Sequence, residues 1–297
     1  MKFDCGFYTT VVYYFMDYIK NGGEQVMVRL NLRLGYILLL FTYQTAFAEE
    51  YIFTATPQWS AAKAGEVYQP IADYLSRVTG KKIVYVNSDN WLTYISEMQK
   101  DKYDLVFDGP HFGSWRIHKL KHVPLVKLPQ PHIWDVVIRA DNINIKNVKS
   151  LAGRPICAHA PPNFGTLTLL SLFDNPARQP FIMQINGWKS AFDGVVQGKC
   201  MATILPLTNL KQFDPEMKQV KLLYQHRPFP NQLFTASSRF SPEMHAKIIK
   251  ALLSDEGKAA TQKLMDEYAK GRSLVLATKE EYADIELVLK NERGFEF

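Results

Sequence analysis

From Tyr51 onward the chain alternates short apolar runs with stretches whose apolar residues recur at helical spacing. Tyr51 to Thr56 is β-rich and ends at Pro57; Val67, Ile71, Leu75 and Val78 then form one apolar face of a helix spanning residues 68–78. Lys82 to Val86 reads as the next strand, Asn90 as the cap of a helix carrying Trp91, Tyr94, Ile95 and Met98, and Asp104 to Phe107 as a third strand. This β-α-β-α-β order predicts parallel strands with crossover helices. After a long β-rich run at residues 132–139 the grammar restarts. Strands are expected at 154–158, 181–185 and 200–205, with helices at 165–173 and 190–197 between them. The chain then returns through residues 232–236 to helices at 242–253 and 257–268. Two similar units joined by two crossing segments predict a hinged pair of lobes with a ligand cleft between them.

The 297 residues suffice for two modest α/β lobes, and a 47% hydrophobic content supports substantial cores. The formal charge of +6 is mild and no Lys/Arg block stands out, so the concentrated basic stripe of a nucleic-acid binder is missing. A modest positive field favours small anions.

The first 48 residues differ from the rest. Met27 to Arg33 supplies a positive region, Leu34 to Phe41 an apolar one, and Ala46-Phe47-Ala48 a small-x-small cleavage site, so residues 27–48 read as an export signal cleaved near Ala48. The apolar stretch falls short of the roughly 20 residues that a membrane span requires. Residues 1–26, interrupted by Asp4, Asp17, Lys20 and Glu24, form an extension that does not fit a signal. Behind the signal remain Cys157 and Cys200, which export permits either to pair as a disulfide or to stay as buried thiols.

Tyr68-Gln-Pro-Ile-Ala-Asp-Tyr-Leu-Ser, Gly80-Lys-Lys-Ile, Tyr103-Asp-Leu-Val-Phe-Asp-Gly-Pro and Leu151-Ala-Gly-Arg-Pro-Ile follow one another in an order and at spacings that resemble the phosphate/phosphite/phosphonate substrate-binding proteins of ABC importers. The likeness runs from about residue 51 to about residue 255. It implies an α/β, two-lobed type 2 periplasmic-binding-protein fold, each lobe a mostly parallel sheet flanked by helices. Lobe one is expected at 49–135, lobe two at 136–232, and the return to lobe one with the C-terminal helices at 233–297. The resemblance also implies a periplasmic monomer that captures a small anionic ligand for an ABC permease in the inner membrane, with no cofactor, metal or nucleic acid. The phosphonate binders hold oxygens on a Ser-Thr-Ser-Gly type loop; here that place reads His159-Ala-Pro-Pro-Asn-Phe-Gly-Thr166. Further departures are Gly187-Trp188-Lys189 where the family often has Gly-Ser-His, and Gly198-Lys-Cys-Met201 in place of its Gly-x-Val-Asp turn.

Candidate ligand residues cluster at the carboxyl ends of expected strands, where open α/β sheets place their ligands. In lobe one they are Gln58, Trp59 and Ser60 after the first strand, and Asp108, Gly109, Pro110, His111 and Phe112 after the third. Pro110 suits a first helical position, where no backbone hydrogen bond is lost. In lobe two they are Asn163, Phe164, Gly165 and Thr166 at a helix start that favours an anion, followed by Trp188; Asn231 sits where the chain recrosses. No HExxH or Gly-x-Ser-x-Gly motif appears, so nothing in the pattern demands catalysis. A sensor reporting to a membrane-bound kinase is the second reading, and an extracytoplasmic enzyme on the same fold a distant third.

Overall fold

The computed structural model describes residues 49–292 and 294–295, so the expected extension and export signal lie outside the described residues. The first sheet has the order β11-β4-β10-β3-β1-β2, with β1 at Glu50–Ala55, β2 at Lys82–Tyr85, β3 at Leu105–Asp108, β4 at Val123–Lys127, β10 at Leu233–Ala236 and β11 at Val275–Leu276. The second has the order β7-β6-β8-β5-β9, with β5 at Trp134–Arg139, β6 at Pro155–Ala158, β7 at Phe181–Gln184, β8 at Ala202–Pro206 and β9 at Val220–Gln225.

Both sheets are mixed rather than mostly parallel. The parallel pairs β1–β2, β1–β3, β6–β7 and β6–β8 are those a crossover helix can join. The strands that enter or leave through the interlobe segments, β10 and β5, lie antiparallel to their neighbours. Residues 128–133 link β4 to β5 and residues 226–232 link β9 to β10. These two crossovers pair with each other: His132 and Phe229 form an isolated bridge, and the Leu128 amide donates to the Gln232 carbonyl at 2.9 Å. Trp134 and Asp135, expected in lobe one, pair with Pro206 and Leu205 in the second sheet. Residues 226–232, expected in lobe two, form the returning crossover.

Helix α1 (Ala61–Thr79) starts seven residues before the expected Tyr68, because Ser60 caps it by accepting from the Lys63 amide. Its face of Val67, Tyr68, Ile71, Ala72 and Leu75 packs with Phe53, Phe107 and Phe234 of the first sheet and with residues of α7 (Pro242–Leu253) and α8 (Asp255–Ala269). On the other face lie α2 (Trp91–Gln99), capped by Asn90, and α3 (Pro110–Trp115), which runs on as a π-turn over Arg116–Leu120. The second sheet carries α4 (Phe164–Ser171), α5 (Trp188–Val196) and α6 (Leu207–Phe213). Within that lobe Cys157 and Cys200 are bonded, with a Cα separation of 5.6 Å. The C-terminal 3-10 turns, Glu280–Tyr282 and Ile285–Leu289, belong to neither lobe alone. Ser114 of α3 donates to the Tyr282 carbonyl at 2.6 Å, whereas Tyr282 and Ile285 also pack into the apolar cluster of the second lobe.

Candidate functional site

At the carboxyl end of β3 the backbone turns at Gly109, the N-cap of α3, with Pro110 at its first position. Asp108 does not face the gap between the lobes with a free carboxylate. Its Oδ2 accepts from the Tyr94 hydroxyl at 2.7 Å and from Arg116 Nε at 3.2 Å, and Arg116 Nη2 reaches the Tyr94 hydroxyl at 3.0 Å. Both ends of this ion pair are fully buried, so Asp108 belongs to the interior of lobe one. Phe112 is likewise spent on packing against Trp91, Tyr94 and Phe295. His111 is different: it leaves lobe one and meets lobe two.

At the end of β1, Ser60 is occupied as a helix cap. Trp59 packs on Tyr68 and Tyr268 with ring centroids 5.8 and 5.4 Å away, making it a cover over the lobe-one core. Gln58 donates to the Thr56 hydroxyl at 2.8 Å. None of these three contacts a lobe-two residue through a hydrogen bond or ring pair among the described residues.

In lobe two the expected donor set at the start of α4 is turned inward. Asn163 caps the helix by accepting from the Thr166 amide at 3.2 Å, and the Thr166 hydroxyl donates to the His159 carbonyl at 2.6 Å. Thr166 is fully buried, so its hydroxyl holds the 159–166 loop together instead of meeting a ligand. Gly165 is there because Trp134 lies against it: a Cβ would fall 2.5 Å from the indole. Asn231 is also committed, its amide donating to the Gln130 carbonyl at 3.0 Å and its oxygen accepting from the Gln232 amide at 2.8 Å. It ties the two crossovers together.

What remains between the lobes is a cluster of buried and half-buried rings. His111 stacks on Phe164 across it, with centroids 4.9 Å apart and planes 11° from parallel. Its Nε2–H donates to the Pro162 carbonyl at 3.1 Å, which fixes the tautomer and leaves Nδ1 bare. Around Phe164 lie His132 at 5.9 Å, Trp134 at 6.1 Å and Phe229 at 4.9 Å. Trp188, at the start of α5, continues the wall through Trp134 at 5.6 Å and His159 at 4.2 Å. Burial holds these imidazoles neutral, lowering His111 to about 3 and His132 to about 4 and shifting His159 downward as well.

Of the expected residues, the structure therefore brings His111, Phe164 and Trp188 together and assigns Asp108, Ser60, Asn163, Thr166 and Asn231 to the framework. His132, Trp134, His159 and Phe229 were missed. The available signal was the pairing of His132 with Trp134 at the start of a β-rich run, where alternate residues share a face. Among the described residues, one surface pocket of about 270 Å³ lies beside the end of α8 and another of about 320 Å³ lies between the crossovers, the latter lined by Phe229 and Asn231. Among the described residues no cluster of three or more His, Cys, Asp and Glu is arranged to hold a metal, and no helix is long and apolar enough to cross a membrane.

The family described as ABC transporter, phosphonate, periplasmic substrate-binding protein matches residues 53–282. No curated protein sequence matches the chain significantly. Among solved structures, PhnD1 from Prochlorococcus marinus (MIT 9301) in complex with methylphosphonate aligns with a TM-score of 0.59 at 14% identity, over 82% of this chain and 97% of that one. XAC2383 from Xanthomonas citri bound to ATP aligns with a TM-score of 0.64 at 9% identity, over 81% and 96% respectively. A binding protein component of an ABC phosphonate transporter from Pseudomonas aeruginosa, PA3383, gives 0.55 at 11% identity, over 81% and 85%. At these identities the likeness establishes the fold.

Proposed function

The chain belongs to the phosphonate ABC-transporter periplasmic substrate-binding family and is a solute-binding protein, and from that premise we propose that its lobes close on a small phosphonate-like anion and present it to a permease in the inner membrane. The observation that carries this reading is the His111–Phe164 contact: a side chain from the carboxyl end of β3 meets the loop after β6 across a gap bounded by two crossovers. A hinge of that construction serves capture by closure. In this reading the protein is exported by cleavage near Ala48, acts as a monomer and performs no chemistry on its ligand. His111, Phe164 and Trp188 line the gap, and Trp59 and Gln58 stand at its lobe-one rim.

Native mass spectrometry of protein purified without denaturation tests the reading, with a phosphonate panel measured by calorimetry beside it. A bound anion recovered unchanged, or a phosphonate that binds with one-to-one stoichiometry and is returned intact, supports a carrier. Recovery of a converted product would replace the carrier with an enzyme, and binding of neutral sugars alone would remove the anionic ligand.

A further inference from the structure

Phe164 is surrounded by rings that it cannot satisfy. Three of its four ring neighbours carry a buried nitrogen with no hydrogen-bond partner: Nδ1 of His111, Nδ1 of His132 and Nε1 of Trp134. His111 and Trp134 are 4% and 2% exposed, so water does not readily serve them. An unpaired buried polar group costs roughly 1–3 kcal/mol, and three in one shell around an apolar ring form an arrangement that packing alone does not favour. The same groups answer to a ligand. The indole N–H of Trp134 offers a donor and Nδ1 of His132, in its Nε2–H tautomer, an acceptor; these rings stand at 77° and 63° to Phe164, while His111 lies flat and offers its face.

The slot is also divided between the lobes. His111 comes from α3 and Phe164 from α4, so opening at the crossovers separates these two stacked faces. A flat group entering there restores stacking on both sides, which a tetrahedral aliphatic anion does not. The floor is poor in charge: the cation recorded against these rings is Arg227, over Phe229 at 5.8 Å, and it is exposed. A dianion seated among neutral imidazoles without a buried cation would carry a desolvation cost that nothing in this ring shell offsets.

We infer that the ligand carries a planar nitrogen heterocycle, with both a ring N–H and a bare ring nitrogen, which inserts between His111 and Phe164 while its acidic group stays toward solvent. This inference rests on the solute-binding reading above and names the part of the solute that the cleft recognises. His132 and Trp134 are then specificity-determining residues, supplying edge hydrogen bonds to the ring.

Four probes test it on the exported chain, with quenching of tryptophan fluorescence and calorimetry as readouts: methylphosphonate, phenylphosphonate, (imidazol-4-yl)methylphosphonate and imidazole-4-acetate. The imidazolyl phosphonate should bind about tenfold or more tighter than phenylphosphonate, and phenylphosphonate tighter than methylphosphonate. His132→Phe and Trp134→Phe each keep a ring and remove a nitrogen. Each should lower affinity for the imidazolyl probe about tenfold and change that for phenylphosphonate less than about twofold. Methylphosphonate binding as tightly as either ring compound would overturn the inference and leave the phosphonate carrier standing. Imidazole-4-acetate binding while all three phosphonates fail would uphold the ring and remove the phosphonate. Failure of all four probes would overturn both.

Discussion

The Nε2–H of His111, in the helix that follows β3, donates to the Pro162 carbonyl 3.1 Å away in the loop that follows β6. This bond crosses from one lobe to the other and would favour a protonated ring, but burial between the lobes opposes the charge more strongly. Burial lowers His111 to about 3 and His132 to about 4, against about 6.5 for an imidazole in water. Between those limits the open form binds protons that the closed form refuses. The closure that His111 supports is therefore complete above about pH 6.5 and is lost progressively as the pH falls toward 3. His111 contributes a slope of roughly 1.4 kcal/mol per pH unit in that window, whereas the ring partners of His132 all lie in lobe two and the crossovers, so its burial is not tied to closure. Small-angle scattering should find a compact particle at pH 7.5 and a wider one at pH 4.5, with far-ultraviolet dichroism unchanged. A radius independent of pH across this range would show that the contact does not govern closure.

Thr166 bears on the same loop from inside. Its hydroxyl donates to the His159 carbonyl at 2.6 Å in a fully buried position, so Thr166→Val leaves that carbonyl unpaired. The expected loss is about 1–3 kcal/mol of stability, read as a lower melting temperature of the ligand-free protein. Ligand affinity should stay within about threefold, because the hydroxyl does not face the gap. A variant that melts normally and binds tenfold more weakly would return Thr166 to the site.

The lobes were legible because each strand-helix unit repeats the same period, and because helix starts announce themselves: Asn90 and Pro110 begin helices where the pattern placed them. Strand β4 was hidden by Pro124, which breaks an otherwise apolar run yet sits at a register shift against β10, where its missing N–H is tolerated. Strand β9 was missed because its Leu222 faces solvent, spoiling the alternation of a half-buried strand. Site residues were harder. Asp108 and Asn163 have the chemistry of ligand contacts, but partners distant in sequence or hidden in the cap claim their side chains: Arg116 and Tyr94 for one, the Thr166 amide for the other. Nothing in the order of residues reveals that competition. The ring cluster escaped notice for the opposite reason, since His132, His159 and Phe229 acquire meaning only when the crossovers and the loop after β6 converge on Phe164.

Cys157 in β6 and Cys200 just before β8 are bonded because those two strands are parallel neighbours. Alkylation of the unreduced, denatured protein should add no mass, whereas prior reduction should expose both thiols. Replacing the pair with alanine should lower stability by about 2–4 kcal/mol in urea titration. Gly194 offers an independent check, since a Cβ there would lie 2.5 Å from the Cys157 sulfur. Gly194→Ala should thus destabilise the lobe by about 1–3 kcal/mol by overpacking. Uptake of alkylating reagent without reduction would show that the thiols are free.

Asp108 separates a structural carboxylate from a ligand contact most sharply. It lies at the carboxyl end of β3, where a binding residue belongs, yet it is sealed against Arg116 and Tyr94, with the guanidinium also facing the rings of Tyr94 and Tyr103 at 5.6 and 5.7 Å. Burial pushes its carboxyl above the usual range while Arg116 pulls it back, so the pair holds charge only through mutual contact. Asp108→Ala leaves a guanidinium buried without its counter-charge and should cost about 3–5 kcal/mol. Arg116→Met leaves the carboxylate alone and should cost a similar amount. The Asp108→Leu, Arg116→Met double variant removes both charges and should recover most of that loss, a strongly non-additive cycle. Ligand affinity of the folded fraction should change less than about twofold throughout. Urea titration and calorimetry on the three variants separate the roles: an Asp108→Ala protein with normal stability and abolished binding would move the carboxylate from the core of lobe one into the site.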